Sequence, residues 1–258
     1  MVEAWLALPL PALVIALVLF FGGIAALLVF LSFGRASGPA IQSFKGVVAP
    51  FVGPIAAMLA ILVGFLASDI SDRDRRAVAT VNTEADQLLA LDTLAATFNL
   101  PRAQIDAAIR SYAAIVVQKE WPSMARRQVS PEAERALDEL LKTIDNLRVG
   151  ESKGEIDRLM YTTALSVRSA RSARLVLAQD QSAGVKWYAV LALAIMAQIS
   201  TALVHLDRLR PQIAAQTVLT VSLVVVLGLL AAHELPFAPP LAVSSAPIAR
   251  LLDVLPAG

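Results

Sequence analysis

Cysteine is absent from the 258 residues of this chain, which excludes disulfide bonds, thiolate metal sites and cysteine nucleophiles. The glycine-rich phosphate loops, nucleophile elbow and paired zinc-binding histidines of common enzymes are missing too. The two histidines, His205 and His233, have no convergent ligands beyond Glu234 beside His233, and we interpret them as polar residues at helix ends. We therefore predict no enzymatic activity, no metal site and no cofactor.

Charge is also scarce and unevenly distributed. Only 17% of the residues are charged, whereas soluble domains carry about 25%. Four stretches without charge, 31, 23, 20 and 23 residues long, lie between Glu3 and Arg35, Lys45 and Asp69, Lys186 and Asp207, and Arg210 and Glu234. About 20 apolar residues cross a bilayer, and a backbone in lipid must satisfy its own hydrogen bonds. We predict four transmembrane helices, at about Leu8 to Phe33, Pro50 to Ser68, Val185 to Val204 and Gln212 to Ala232.

The remaining charge is concentrated in residues 69–186, which hold 17 basic and 17 acidic side chains. A neutral surface of mixed sign argues against nucleic-acid binding, which needs a basic face. Apolar residues recur in this segment at spacings of three and four, as in Val81, Ala85, Leu88, Leu91, Ala95 and Phe98. This pattern predicts amphipathic helices, and strand signals are absent from the sequence.

Start and stop signals divide this segment into four helices. Asn99-Leu100-Pro101 ends the first, Trp121-Pro122 interrupts or ends the second, and Ser130-Pro131 begins the third, which Gly150 stops. The fourth runs from about Glu151 to Ser182. No strong break separates the second membrane helix from the first helix of this segment, so we expect one continuous helix there.

The predicted fold class is an all-α integral membrane protein, with a soluble four-helix domain inserted between the second and third transmembrane helices. Residues 1–68 hold the first two membrane helices, 69–184 the soluble domain and 185–232 the last two. Five of the 14 prolines fall within 233–258, which predicts a surface tail that does not span the bilayer. Ile248 to Val254 is a candidate for a short amphipathic surface helix.

A charged collar marks the point where the second helix leaves the predicted bilayer. Within it, Asp69, Asp72, Arg73 and Arg76 are candidates for an ion entrance around the axis of an oligomer, because rings of charged side chains select ions in channels. The alternative is a helix that simply emerges into solvent.

Polar residues inside the predicted spans are few, and none is ionised, which argues against a charge-relay pump. Gln198 and Thr201 in the third span are candidates for pore lining. The alternative is that they bond across helices or to their own backbone, as such residues commonly do.

Arg168, Arg171 and Arg174 recur every three residues on the fourth soluble helix. Two interpretations remain open for them. Facing acids such as Glu84 or Glu120 can pair with them inside the bundle, or the three arginines bind an anion or a lipid headgroup.

The side of the membrane that carries the domain is left open by the loops. The short loops contain Arg35, Lys45, Arg208 and Arg210, which by the positive-inside rule places them in the cytoplasm and the domain outside. Basic residues also flank the membrane on the domain's side, and they oppose this assignment.

Four short motifs occur in a fixed order along the chain: Asn82-Thr83-Glu84-Ala85 with Leu88-Leu89, Tyr112 followed by Glu120-Trp121-Pro122, Arg171 to Leu175, and Leu235-Pro236-Phe237. In this order and placement they resemble the bacterial bestrophin-like family, a functionally uncharacterised family of membrane proteins. The resemblance covers nearly the whole chain. After the last motif, where the family often has glycine, this chain has Ala238-Pro239.

The resemblance implies kinship with bestrophins, which are oligomeric anion channels with four spans and a helical cytosolic domain. It implies a multi-pass protein of the bacterial inner (plasma) membrane, with the second helix lining a pore. It also moves the domain to the cytosol, against the loops. No acidic calcium-binding cluster is visible in this sequence to carry over from the bestrophins.

The leading hypothesis is therefore an oligomeric channel for small ions, with the lipid bilayer and copies of itself as partners. The alternative is a non-catalytic accessory or scaffold subunit that docks another membrane protein through its helical domain. A sensor ranks third, because no output domain is recognised after the last span.

Overall fold

The computed structural model describes residues 8–35, 37–47, 49–146, 154–180, 184–239 and 241–256. Regular structure within these ranges is helical, and strands are absent from them, as the periodicity predicts. The α-helices are α1 Leu10–Phe33, α2 Gly38–Gln42, α3 Val52–Thr97, α4 Arg102–Ile115, α5 Trp121–Met124, α6 Pro131–Asn146, α7 Gly154–Gln179, α8 Gly184–Val204, α9 Leu209–Ala232, α10 Ala246–Ala249 and α11 Leu251–Val254. A 3₁₀ turn, Ala49–Phe51, precedes α3.

Four helical segments in the described ranges are long and apolar enough to cross a membrane. They comprise α1, α3, a third segment that includes α8, and α9. Helix α3 has 46 residues. Its length confirms the expected continuity, because the second apolar stretch and the amphipathic stripe after it belong to one uninterrupted helix.

The capping residues behave as their chemistry predicts. After α3, Asn99 takes a left-handed conformation with φ of 52°, which asparagine tolerates better than most residues. The N–H of Leu100 donates to the carbonyl of Ala95 over 2.9 Å, so the end of the helix is closed. At the start of α6, the Ser130 hydroxyl accepts from the N–H of Ala133. The expected stop at Gly150, the start at Glu151 and the end at Ser182 lie outside the described residues.

The interruption expected at Trp121-Pro122 takes the form of a π-helical turn, Val116–Glu120, which joins α4 to α5. Proline has no N–H, and its ring collides with the carbonyl four residues earlier. Widening the helix before Pro122 accommodates the ring without ending the helix.

The chain divides into two compact units: Met1–Ser71 with Gln181–Glu234, and Asp72–Asp180 with Leu235–Gly258. The first unit has an apolar core to which α1, α3, α8 and α9 contribute. The second unit has its own core, to which the rest of α3, α4, α6 and α7 contribute.

The last segment of the chain is part of the second core. Phe237, Ile248, Leu251 and Leu255 are at most 4% exposed and belong to this core. The proline density predicts a surface tail over 233–258, and the structure corrects this for these four residues. Proline prevents a long helix but allows short turns such as α10 and α11, and these turns bury the apolar side of Ile248 to Val254.

Candidate functional site

Arg174 on α7 is the centre of a buried polar network in the second unit. Its Nε donates to Oε2 of Glu84 over 2.7 Å, and its Nη2 donates to Oε1 of the same residue over 2.9 Å. The same Nη2 also donates to Oε2 of Glu120 over 2.8 Å. All three side chains are fully buried.

Arg171 lies one turn earlier on α7 and extends the network. Its Nη2 donates to Oε1 of Glu120 over 2.6 Å. Its Nη1 reaches Oε2 of the half-exposed Glu134 over 3.3 Å. Glu120 therefore bridges the two arginines, and the π-helical turn places it there.

Two aromatic residues complete the surroundings of Arg174. The Tyr112 hydroxyl donates to Oε1 of Glu84 over 2.6 Å. The guanidinium carbon of Arg174 lies 5.1 Å from the centre of the Trp121 ring, a cation–π distance. The glutamates thus bind the edge of the Arg174 guanidinium, and the Trp121 ring covers its face.

The electrostatics keep the network charged but neutral in sum. Burial raises the pKa of Tyr112 well above its ordinary value, and the negative charge of Glu84 raises it further. Burial acts to lower the pKa of Arg174, but the contributions of Glu84, Tyr112 and Glu120 together outweigh it and the pKa is raised. Two buried arginines thus offset two buried glutamates, and Tyr112 stays uncharged.

Of the two interpretations of the three arginines, Arg171 and Arg174 make the contacts of the first, because they pair with Glu120 and Glu84. Arg168, by contrast, is exposed. An anion or headgroup could reach Arg171 or Arg174 only by displacing a glutamate. Arg168 is the member of the group that remains accessible to such a ligand.

The four collar residues have different surroundings. In the first unit, Asp69 pairs with Lys186 on α8 over 2.6 Å. In the second unit, the buried Arg73 lies 3.6 Å from Asp180, and Asp72 pairs with Arg75 one turn later on the same helix. Arg76 is exposed.

Gln198 and Thr201 form hydrogen bonds across helices and within their own helix, which is the alternative to lining a pore. The fully buried Gln198 donates from Nε2 to the carbonyl of Phe21 over 3.1 Å and to the Thr220 hydroxyl over 3.0 Å. Thr201 donates to the carbonyl of Ala197 in its own helix. The two hydrogen bonds of Gln198 join α8 to α1 and α9.

Gln212 and Gln216 on α9 are buried as well, and with Gln198 they form a polar layer in the first unit. Gln216 donates to the backbone carbonyl of Gln198 over 2.7 Å, and Gln212 donates to the Ser32 hydroxyl over 3.1 Å. The spacing of four between Gln212 and Gln216 places both side chains on one face of α9. This spacing is the signal in the sequence that could have indicated a role for Gln212.

Helix α3 also has an exposed apolar face that no pattern in the sequence indicates. Met58, Ile61 and Phe65 are 59%, 61% and 68% exposed, and their spacing of three and four places them on one face. Only 11% of the apolar window of α3 is buried, the smallest share of the four candidate spans. A span that is apolar all round has no periodic pattern to reveal such a face.

Comparison with known proteins places these features in a family. The bestrophin-like domain family matches residues 8–248. A mutated bacterial bestrophin homolog from Klebsiella pneumoniae has a similar solved structure, with a TM-score of 0.72 and 12% identity over 94% of this chain and 98% of that chain. No curated protein matches the chain. The likeness at this low identity shows the shared fold, and the family match, over nearly the whole length, shows that the chain belongs to the bestrophin-like family.

Proposed function

We propose that this bestrophin-like protein is one subunit of a homo-oligomer that conducts small ions across the bacterial plasma membrane. Helix α1, the first half of α3, α8 and α9 are the four spans. Residues 72–180 and 235–258 form a helical domain outside the bilayer. The observation that carries the proposal is the exposed apolar face of α3.

Met58, Ile61 and Phe65 stay mostly exposed among the described residues of their own unit. In a ring of identical subunits, equivalent faces of α3 surround one axis. Apolar constrictions of this kind gate channels by excluding water, and small ions pass when the constriction widens. The face is therefore suited to a pore that opens and closes.

The collar supplies charge at one end of the same face. Asp69 follows Phe65 by four residues, and Asp72 follows Asp69 by three, so the helical register of the apolar face continues into both acids. Lys186 partly offsets the charge of Asp69. We assign Asp69 and Asp72 to the ion entrance, with Arg73 and Arg76 beside them. Gln198 bonds to neighbouring helices and Thr201 to its own helix, so we do not assign either to the pore.

The test is ion flux and subunit number of the purified full chain in liposomes. We expect a closed oligomer that leaks more than empty vesicles, with altered flux in Phe65→Ala and in Asp69→Asn. Val225→Ala is the matched control, since Val225 on α9 is 63% exposed but lies outside the proposed pore. A monomer, or vesicles as tight as bare lipid in several salts and at both pH extremes, would contradict the proposal.

The alternative is a scaffold subunit, and one observation favours it. Leu159, Leu165 and Val176 on α7 are exposed apolar residues of the second unit, as a docking surface requires. Under this alternative, vesicles stay tight, and Leu165→Glu releases a membrane protein that copurifies with the wild type from native membranes. Phe65→Ala then leaves that copurification unchanged.

A further inference from the structure

A second group of buried charges in the second unit lies outside the arginine network. Asp92 on α3 and Asp106 on α4 are only 7% and 2% exposed. The two acids lie close to one cation, Arg102, at the start of α4. Asp92 lies closer to the guanidinium of Arg102 than Asp106 does.

Arg102 is engaged mainly by Asp92. Its Nε donates to Oδ1 of Asp92 over 2.6 Å and its Nη2 donates to Oδ2 over 3.1 Å, which is the two-pronged geometry of a strong pair. The same Nε is 3.5 Å from Oδ2 of Asp106, and this contact is not a hydrogen bond. Among the described residues, neither carboxyl oxygen of Asp106 has a hydrogen-bond partner.

Other charged groups near α4 do not supply the missing donor. Arg110, one turn after Asp106, donates to the carbonyls of Leu252 and Leu255. Glu120 is held by Arg171 and Arg174. Helix α6 buries only apolar residues, while Lys119, Arg250 and Asp253 are exposed.

The site therefore holds two buried carboxyl groups and one guanidinium. If both acids were ionised, Asp106 would keep a buried charge without a hydrogen bond, which is costly. A proton removes this cost in two ways, because it neutralises one acid and turns it into a donor toward the other. Paired carboxyl groups in proteins share a proton for this reason.

We propose that Asp92 and Asp106 form a proton-binding site, in which Asp106 holds a proton and donates it to the carboxylate of Asp92. Arg102 holds the carboxylate of Asp92 by two hydrogen bonds. The site joins α3 to α4 and is filled or emptied by solvent protons. The proposal does not depend on ion conduction, so a failure of the proposed channel would not affect it.

The direction of the pKa shift of Asp106 agrees with this geometry. Burial raises the pKa of Asp106, the neighbouring Asp92 raises it further, and Arg102 opposes them. A raised folded-state pKa means that the protonated site stabilises the fold below the unfolded-state pKa. This contribution is lost as the pH rises through the raised pKa of Asp106. Raising the pH through the pKa of Asp106 therefore loosens the link between α3 and α4.

The experiment compares the full-length protein with Asp106→Asn, whose amide N–H₂ takes the place of the shared proton. We expect an infrared band of a protonated carboxylic acid in the wild type at pH values where a free aspartate is already ionised, and we expect Asp106→Asn to remove it. We also expect the wild type to lose stability on alkalinisation where Asp106→Asn does not. Asp86→Asn is the control, because Asp86 lies exposed on the same helix and should behave as the wild type.

Two outcomes would overturn the proposal. One is a carboxylic acid band that persists in Asp106→Asn together with parallel stability curves of the two proteins. The other is stabilisation of the wild type by Ca²⁺ or Mg²⁺ and its reversal by a chelator, which would identify a cation site. If Asp106→Asn does not fold, NMR titration of ¹³C-labelled aspartates in the wild type decides, because the absence of an aspartate with a raised pKa contradicts the proton site.

Discussion

Arg174 and Glu84 are 90 positions apart in the sequence, and two hydrogen bonds of 2.7 and 2.9 Å join them in a fully buried pair. The pair ties α7 to the second half of α3. Removing two ions from water is costly, and good geometry with further hydrogen bonds is required to offset that cost. Tyr112 and Glu120 supply those further bonds.

Loss of Glu84 should destabilise the second unit strongly. We expect Glu84→Leu to lower the free energy of unfolding by about 3–5 kcal/mol, because Arg174 keeps its buried charge with half of its partners gone. Thermal unfolding of the purified protein measures the loss. Glu139→Gln, which breaks the exposed pair with Lys142, should change little. Equal melting temperatures for Glu84→Leu and the wild type would refute this prediction.

Tyr112→Phe should remove one hydrogen bond to a charged acceptor, at a cost of about 1.5–3 kcal/mol. The effect should also depend on pH. Because the pKa of Tyr112 is raised in the folded state, the tyrosine stabilises the fold below its unfolded-state pKa of about 10 and loses this contribution as the pH rises further. Denaturant unfolding at neutral and alkaline pH measures it, and a constant difference between the two proteins would contradict the assignment.

Ile248→Ala tests the place of the last segment in the core. Ile248 is completely buried, so its truncation should cost about 2–5 kcal/mol. Val254→Ala, in the same segment but 67% exposed, is the control and should be nearly neutral. Chemical denaturation distinguishes them, and similar small effects of both substitutions would mean that the segment does not pack as described.

Gln198→Leu tests the polar layer of the first unit. The substitution removes two interhelical donors, and such bonds in membrane proteins contribute about 0.6–2 kcal/mol. We expect a loss of stability of that order in detergent or lipid. Thr217→Val is the control, because the exposed Thr217 bonds only to its own helix. If Gln198→Leu matched the wild type while keeping its fold, the layer would have no role in stability.

Sequence patterns were sufficient for the helices because the signals for them are local. The four charge-free stretches are each continuous in the sequence, and the Ser130 cap and the stop at Asn99-Leu100-Pro101 act within a few residues. The structure places helix bounds close to the predicted ones. The acids that pair with Arg171 and Arg174 could be named as candidates, since few charged residues fall on the apolar stripes. The short helices α10 and α11 could not be assigned to a core, because their burial depends on distant partners.

The sequence by itself determined the helical class, the four apolar segments, the continuity of α3 and the family, since all of these follow from composition, periodicity and ordered motifs. Tertiary structure alone decided which side chains meet. Arg171 and Arg174 are buried whereas Arg168 is exposed, and Gln198 bonds to neighbouring helices. Asp106 is left without a hydrogen-bond donor among the described residues. Pairing across 90 residues is set by how helices pack, and helices of nearly uniform apolarity carry no local signal of the face each one buries.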